Sequence, residues 1–189
     1  MPYHVIDVSE SLYDGRRDVR DLKDIKGIAI HRINVGSNAR DIRDFFVEGE
    51  GGRYTGNQMP YTFVVSPFGV IEQALDLREV GPHARRWSVP MISIACIGDF
   101  RHHPPDTDQF YATKELCIDL CLYINKAEIK GHDELPGGSS DPNKQCPGKM
   151  FGLSMLRIQA FLEIERIKRT NRVNSLCAEY HLSRCGVRV

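Results

Sequence analysis

Two short apolar runs set the strongest constraint on this chain. "GIAIHRI" (27–33) and "MISIACIGDF" (91–100) are rich in β-branched residues and almost free of charge, so each fits a buried strand. Such strands need cover, and the chain supplies it in stretches with helical spacing. "ARDIRDFFVEG" (39–49) carries Ile42, Phe45 and Phe46 at that spacing and stops at a glycine. "DTDQFYATKELCIDLCLYINK" (106–126) predicts a second helix with the stripe Phe110, Leu116, Cys117, Leu120, Cys121 and Ile124. Asp106 and Gln109 form a capping-box pattern at its start. In "FGLSMLRIQAFLEIERIKR" (151–169), Leu153, Leu156, Ala160, Ile164 and Ile167 step by three and four. "YTFVVSPFGVIEQAL" (61–75) reads as a hairpin turning through Ser66-Pro67-Phe68-Gly69. Strands interleaved with helices, plus one hairpin, predict an α/β fold: a single domain with a mixed central β-sheet flanked by helices.

Bulk properties narrow the partners. A chain of 189 residues with 41% hydrophobic and 26% charged residues is ordinary for one globular domain with a buried core. Lys+Arg and Asp+Glu both number 25, so no overall field draws the protein onto nucleic acid or an anionic membrane. No run approaches the roughly eighteen apolar residues of a membrane helix. The start, "MPYHVIDVSESLYDGRRDV", lacks the apolar core and small-residue cleavage site of a secretory signal. Six unevenly placed cysteines do not make a disulfide scaffold at this size. The expectation is a monomer made in a reducing cytoplasm, with residues 1–24 as an N-terminal extension, 25–170 as the domain and 171–189 as a tail or docked helix.

Three residues stand out chemically. His31 ends a predicted strand, His132 sits in a Gly-His turn, and Cys146 closes the loop "GHDELPGGSSDPNKQCPGK". Two imidazoles and one thiolate would leave the fourth tetrahedral position of zinc open for water, the pattern of a catalytic site. Spacing alone leaves an alternative, in which these are buried histidines satisfied by hydrogen bonds. "RHHPP" (101–105) reads as a solvated turn, because adjacent histidines on a strand point to opposite faces. Cys117 and Cys121 read as inert core thiols. Cys177, His181 and Cys185 lack an evident fourth ligand and read as part of the tail.

The blocks "GIAIHR", "MPYTFVVSPFGVIEQ", "VGPHARRW", "ISIACIGDF", "IKGHDEL" and "KQCPGKMF" follow in the order of zinc-dependent N-acetylmuramoyl-L-alanine amidases of the type 2 family. The chain resembles that family over residues 25–157; its fold is shared with phage lysozyme-type amidases and peptidoglycan recognition proteins. The resemblance implies a Zn2+ cofactor held by His31, His132 and Cys146, the last position being Cys or Asp in different members. It implies Tyr61 and Lys144 as catalytic residues, the first to orient water or move its proton, the second to hold the oxyanion. It also places His83 beside the substrate cleft, with Arg32 and Trp87 as further candidate contacts. Arg32 stands where the family often has His or Thr, and Ala95 and Ile97 stand where some members carry an acidic base. The implied reaction is hydrolysis of the amide joining N-acetylmuramic acid to L-alanine in peptidoglycan or a muropeptide, by an endolysin-like lytic enzyme or a recycling amidase. The alternatives are a non-catalytic peptidoglycan-binding module of the same fold, and a cysteine hydrolase using Cys146 and His132.

Overall fold

A computed structural model of the chain describes residues 3–12, 18–48, 59–126, 128–137, 145–171 and 187. In chain order these form the strands β1 (Val5–Asp7), β2 (Asp18–Val19), β3 (Gly27–Ile33), β4 (Phe63–Val65), β5 (Ile71–Gln73), β6 (Glu79–Val80), β7 (Met91–Ile97) and β8 (Ile129–Gly131). The helices are α1 (Ala39–Glu48), α2 (Thr107–Tyr123) and α3 (Leu153–Asn171).

The two apolar runs become neighbouring parallel strands, β3 and β7, in register from Gly27 opposite Met91 to Ile33 opposite Ile97. They lie inside a six-stranded sheet of order β1-β5-β4-β7-β3-β8. Only the β4–β5 hairpin is antiparallel in this sheet; the other pairings are parallel. The expected mixed sheet flanked by helices is therefore the fold that forms.

Strand alternation sorts the two faces. Ile28, Ile30, Ile92, Ile94 and Cys96 pack with Leu116, Cys117, Leu120 and Cys121 of α2 and Leu156, Ala160 and Ile164 of α3. Ile33 and Ala95, on the other face, pack with Ala39 and Ile42 of α1 and with Tyr61. His31 shares that second face, being two residues from Ile33. Its register neighbour on β7 is Ala95 and the residue two before it is Ala29. These small side chains leave room for an imidazole on the sheet.

Two features at the periphery differ from the sequence reading or add to it. The expected capping box on α2 does not form: Asp106 is the N-cap residue but its side chain makes no cap bond. Gln109 is instead buried, and its Nε2 donates to Val65 O at 2.9 Å and Ile97 O at 3.0 Å. The amide thereby ties the ends of β4 and β7 together through two main-chain carbonyls. The N-terminal residues join the sheet, with β1 pairing along β5 and Tyr3 Oη donating to Asp119 at 2.7 Å. Next comes Arg20, whose buried guanidinium donates to the carbonyls of Leu77, Ser88, Val89 and Met91. His102 and His103 are exposed in a turn, as expected, and Cys117 and Cys121 are buried.

Candidate functional site

His31 is 1% exposed, and three rings surround it. Ring centroids lie 5.2 Å away for Tyr61, 4.9 Å for His83 and 4.7 Å for His132. Each ring comes from a different segment, so the cluster depends on the sheet being assembled.

His132 opens a 3-10 turn, His132–Glu134, directly after β8. Glu134 Oε2 accepts from the Gly131 N–H at 2.8 Å. Arg157 of α3 pairs with Glu134 and donates from Nε to Ile129 O at 2.7 Å. The turn that aims His132 is thus braced against α3 by a bidentate charge-assisted pair.

Cys146 reaches the same place from the far end of its loop. Asp133 and Cys146 exchange two hydrogen bonds, and the Cys146–Pro147 peptide bond is cis. A Cβ at Gly131 would stand 2.8 Å from Pro147 Cδ and 3.3 Å from Cys146 O, so glycine is what lets this segment lie against the end of β8. The Arg32 N–H donates to Cys146 Sγ at 3.4 Å, and Arg32 Nε donates to Gln145 O at 2.8 Å. Asp99, itself paired with Arg101, holds Arg32 Nη1 at 3.3 Å. Sequence reasoning missed these supports; only Asp133 carried a signal, through its place beside His132 in "GHDEL".

One ligand atom from each of His31, His132 and Cys146 lies within 4.8 Å of the other two. His31 Nδ1 is 3.8 Å from Cys146 Sγ. Burial pushes His31 well below its ordinary value, aided by His83 and His132, and lowers His132 as well. Burial also pushes the Cys146 thiol up to about 11. Two uncharged imidazoles and a protonated thiol therefore converge with lone pairs and no cation among them. That donor set fits a zinc ion, which would displace the thiol proton.

The remaining sequence-derived candidates are placed as follows. Tyr61 is 8% exposed, with its ring beside His31 and 6.3 Å from Phe46. His83 is 6% exposed and lies behind His31, its Nδ1 2.9 Å from His31 Nε2. The Arg32 side chain is engaged with Gln145 and Asp99. Trp87 is half-buried and donates from Nε1 to Pro136 O at 3.1 Å, beside the turn that carries His132. Lys144, Cys177, His181 and Cys185 lie outside the described residues. No helix among the described residues is long and apolar enough to cross a membrane.

Comparison with known proteins gives the chain a family and a shared fold. Peptidoglycan-recognition protein 2 of Holotrichia diomphalia is 24% identical over 139 residues, covering 69% of this chain and 71% of the relative. The Ph2119 endolysin from Thermus scotoductus MAT2119 bacteriophage Ph2119 superposes with a TM-score of 0.68 at 20% identity, over 83% of this chain and 99% of the endolysin. Peptidoglycan recognition protein-LE, solved with tracheal cytotoxin, gives a TM-score of 0.63 at 19% identity, over 90% of this chain and 96% of that one. These structural likenesses establish a shared fold. Residues 21–149 match the family model described as N-acetylmuramoyl-L-alanine amidase, a span that takes in His31, Tyr61, His83, His132 and Cys146, and the chain belongs to that family.

Proposed function

We propose that this protein is a zinc-dependent amidase that hydrolyses the bond between N-acetylmuramic acid and L-alanine in peptidoglycan or a muropeptide. The observation that carries the reading is the convergence of His31, His132 and Cys146, with their ligand atoms within 4.8 Å of one another. Zinc bound there would polarise the scissile carbonyl and acidify a water at neutral pH.

The chain's own residues have separable tasks. His31, His132 and Cys146 hold the ion, and the Cys146 thiol gives up its proton to do so. Tyr61, packed against His31, orients the attacking water or helps move its proton. Lys144, assigned from the family pattern alone, supplies a compact positive charge for the developing oxyanion. Arg32 is held by Asp99 and holds Gln145, so in this reading it secures the Cys146 segment. The half-buried indole of Trp87 beside the His132 turn is the candidate contact for sugar or stem peptide.

The substrate class draws support from the relatives. One is an endolysin, and another was solved with a monomeric diaminopimelic acid-type peptidoglycan. The relation to a peptidoglycan-recognition protein favours, as a second reading, binding of the same material without cleavage.

The deciding experiment incubates the zinc-loaded protein with purified sacculi and, separately, with soluble muropeptides. Mass spectrometry then follows stem peptides bearing a free L-alanine amino terminus. Release supports the amidase, and the better substrate separates a lytic from a recycling role. Retention on sacculi without release supports the recognition module. Release that survives a chelator and stops on thiol alkylation would mean a cysteine hydrolase instead.

A further inference from the structure

We propose that His83 is a positioning residue that fixes the tautomer of His31, so that His31 Nδ1 presents its lone pair to the metal position. The inference rests on the zinc reading above and extends it to a residue outside the ligand set.

The geometry forms a chain of three groups. His83 Nε2 faces Met91 O at 3.4 Å, and His83 Nδ1 faces His31 Nε2 at 2.9 Å. The two rings meet edge-on, at 90°. His31 Nδ1, the nitrogen on the far side, faces Cys146 Sγ at 3.8 Å. Both His83 nitrogens thus face protein atoms.

Proton bookkeeping along this chain has a defined direction. A carbonyl oxygen only accepts, so the proton on His83 sits at Nε2, facing Met91. The Nδ1 of a neutral imidazole so protonated is an acceptor, and the nitrogen 2.9 Å away must donate. That places the His31 proton on Nε2 and leaves Nδ1 bare. The reverse order would put a proton on His31 Nδ1, between the ring and the Cys146 sulfur, and block the ligand atom. Met91 O is itself fixed, because Arg20 Nη1 donates to it at 2.7 Å. His83 is anchored through its backbone N–H to Gly81 O at 2.8 Å. The relay therefore begins at a carbonyl held by a buried guanidinium and ends at a metal ligand, the kind of outer support that orients ligating histidines generally.

Two measurements test it. Long-range proton–nitrogen NMR of the zinc-free wild type reads the His31 tautomer directly and needs no variant to fold. The expected result is a proton on Nε2; a proton on Nδ1 overturns the proposal whether or not zinc binds. Competition with a chromophoric chelator then gives zinc affinity for the wild type, His83→Ala and His83→Asn. Alanine removes the acceptor, whereas the asparagine side-chain oxygen stands near the position of Nδ1. The expected loss is about 10- to 100-fold for alanine, with most of it recovered by asparagine. Equal affinity in wild type and the alanine variant, or no recovery with asparagine, overturns the proposal. Failure of the wild type to bind zinc would sink the metal reading instead, and the tautomer spectrum would still decide this one.

Discussion

Asp133 and Cys146 hold each other by two hydrogen bonds: the Asp133 N–H donates to Cys146 O at 3.0 Å, and the Cys146 N–H donates to Asp133 Oδ2 at 2.6 Å. One partner is the neighbour of a candidate ligand and the other is a candidate ligand itself. The pair closes the loop between them and sets His132 and Cys146 in register. Two candidate ligands from opposite ends of a loop are thus held together by the protein's own hydrogen bonds, which would lower the ordering cost of binding an ion.

Removing the carboxylate should loosen that register. Asp133→Ala is expected to weaken zinc binding by about tenfold or more, while Asp133→Asn, which keeps an acceptor oxygen, should lose less. Chelator competition measures both. Unchanged affinity in the alanine variant would mean that Arg32 alone places the segment.

Cys146→Ala should remove zinc and amidase activity together, with the rate falling at least about a hundredfold. Cys146→Asp keeps an anionic ligand and should retain part of the metal. Metal content by mass spectrometry, read beside turnover, checks both variants. An alanine variant that is metal-free and fully active would end the zinc assignment.

Burial that raises the Cys146 thiol would make zinc binding a proton-coupled event. With Cys146 pushed up to about 11 by burial, the thiol stays protonated across neutral pH and must release its proton to ligate. At least about one proton should leave per zinc bound, and affinity should rise about tenfold per pH unit between about pH 7 and 9. Calorimetry in buffers of different ionisation enthalpy counts the protons. No release would mean that sulfur is not a ligand.

Acid should destabilise the metal-free protein. Burial pushes His83 down to about 3 and His31 well below its ordinary value, so as pH falls the unfolded chain takes up these protons first. Folded pKa values below the unfolded ones give stability that is present above about pH 6.5 and lost on acidification. Between about pH 7.5 and 5.5 each histidine should remove about 1.4 kcal/mol, or about 3 kcal/mol for the pair. Urea denaturation at the two pH values checks it; stability that is flat or higher at the acid end would contradict the burial of neutral rings.

Gln109 offers a test of the fold away from the site. Gln109→Leu should cost about 1 to 3 kcal/mol, because it removes the donor that Val65 O and Ile97 O share. Denaturation midpoints measure this, and a neutral result would mean that water satisfies both carbonyls.

Gln109 also marks where sequence reading stops. Its place three residues after Asp106 is a local pattern for a cap, but two strand ends far away in sequence claimed the amide. β3 and β7 were legible because their apolar runs are long and uncharged, and the His31, His132 and Cys146 set because its motifs keep a known order. β1 was not, since of its three residues only Val5 is buried. The position of His83 behind His31 was illegible for a related reason. Its contact is with the carbonyl of Met91, which also accepts from Arg20, far away in the chain. The order of the family motifs carries candidate ligand types, and carries poorly the carbonyls and guanidinium that bear on how each ring is turned.

Arg20 stands one residue ahead of the segment that matches the family, which begins at residue 21. A shortened protein cut at that boundary would discard the cross-brace under Met91 together with the β1 edge of the sheet. Four carbonyls would then lose their guanidinium donor, Met91 O behind His83 among them. The span matched by the family model and the unit that packs together have different ends, and any minimal version of this protein has to be drawn around the second.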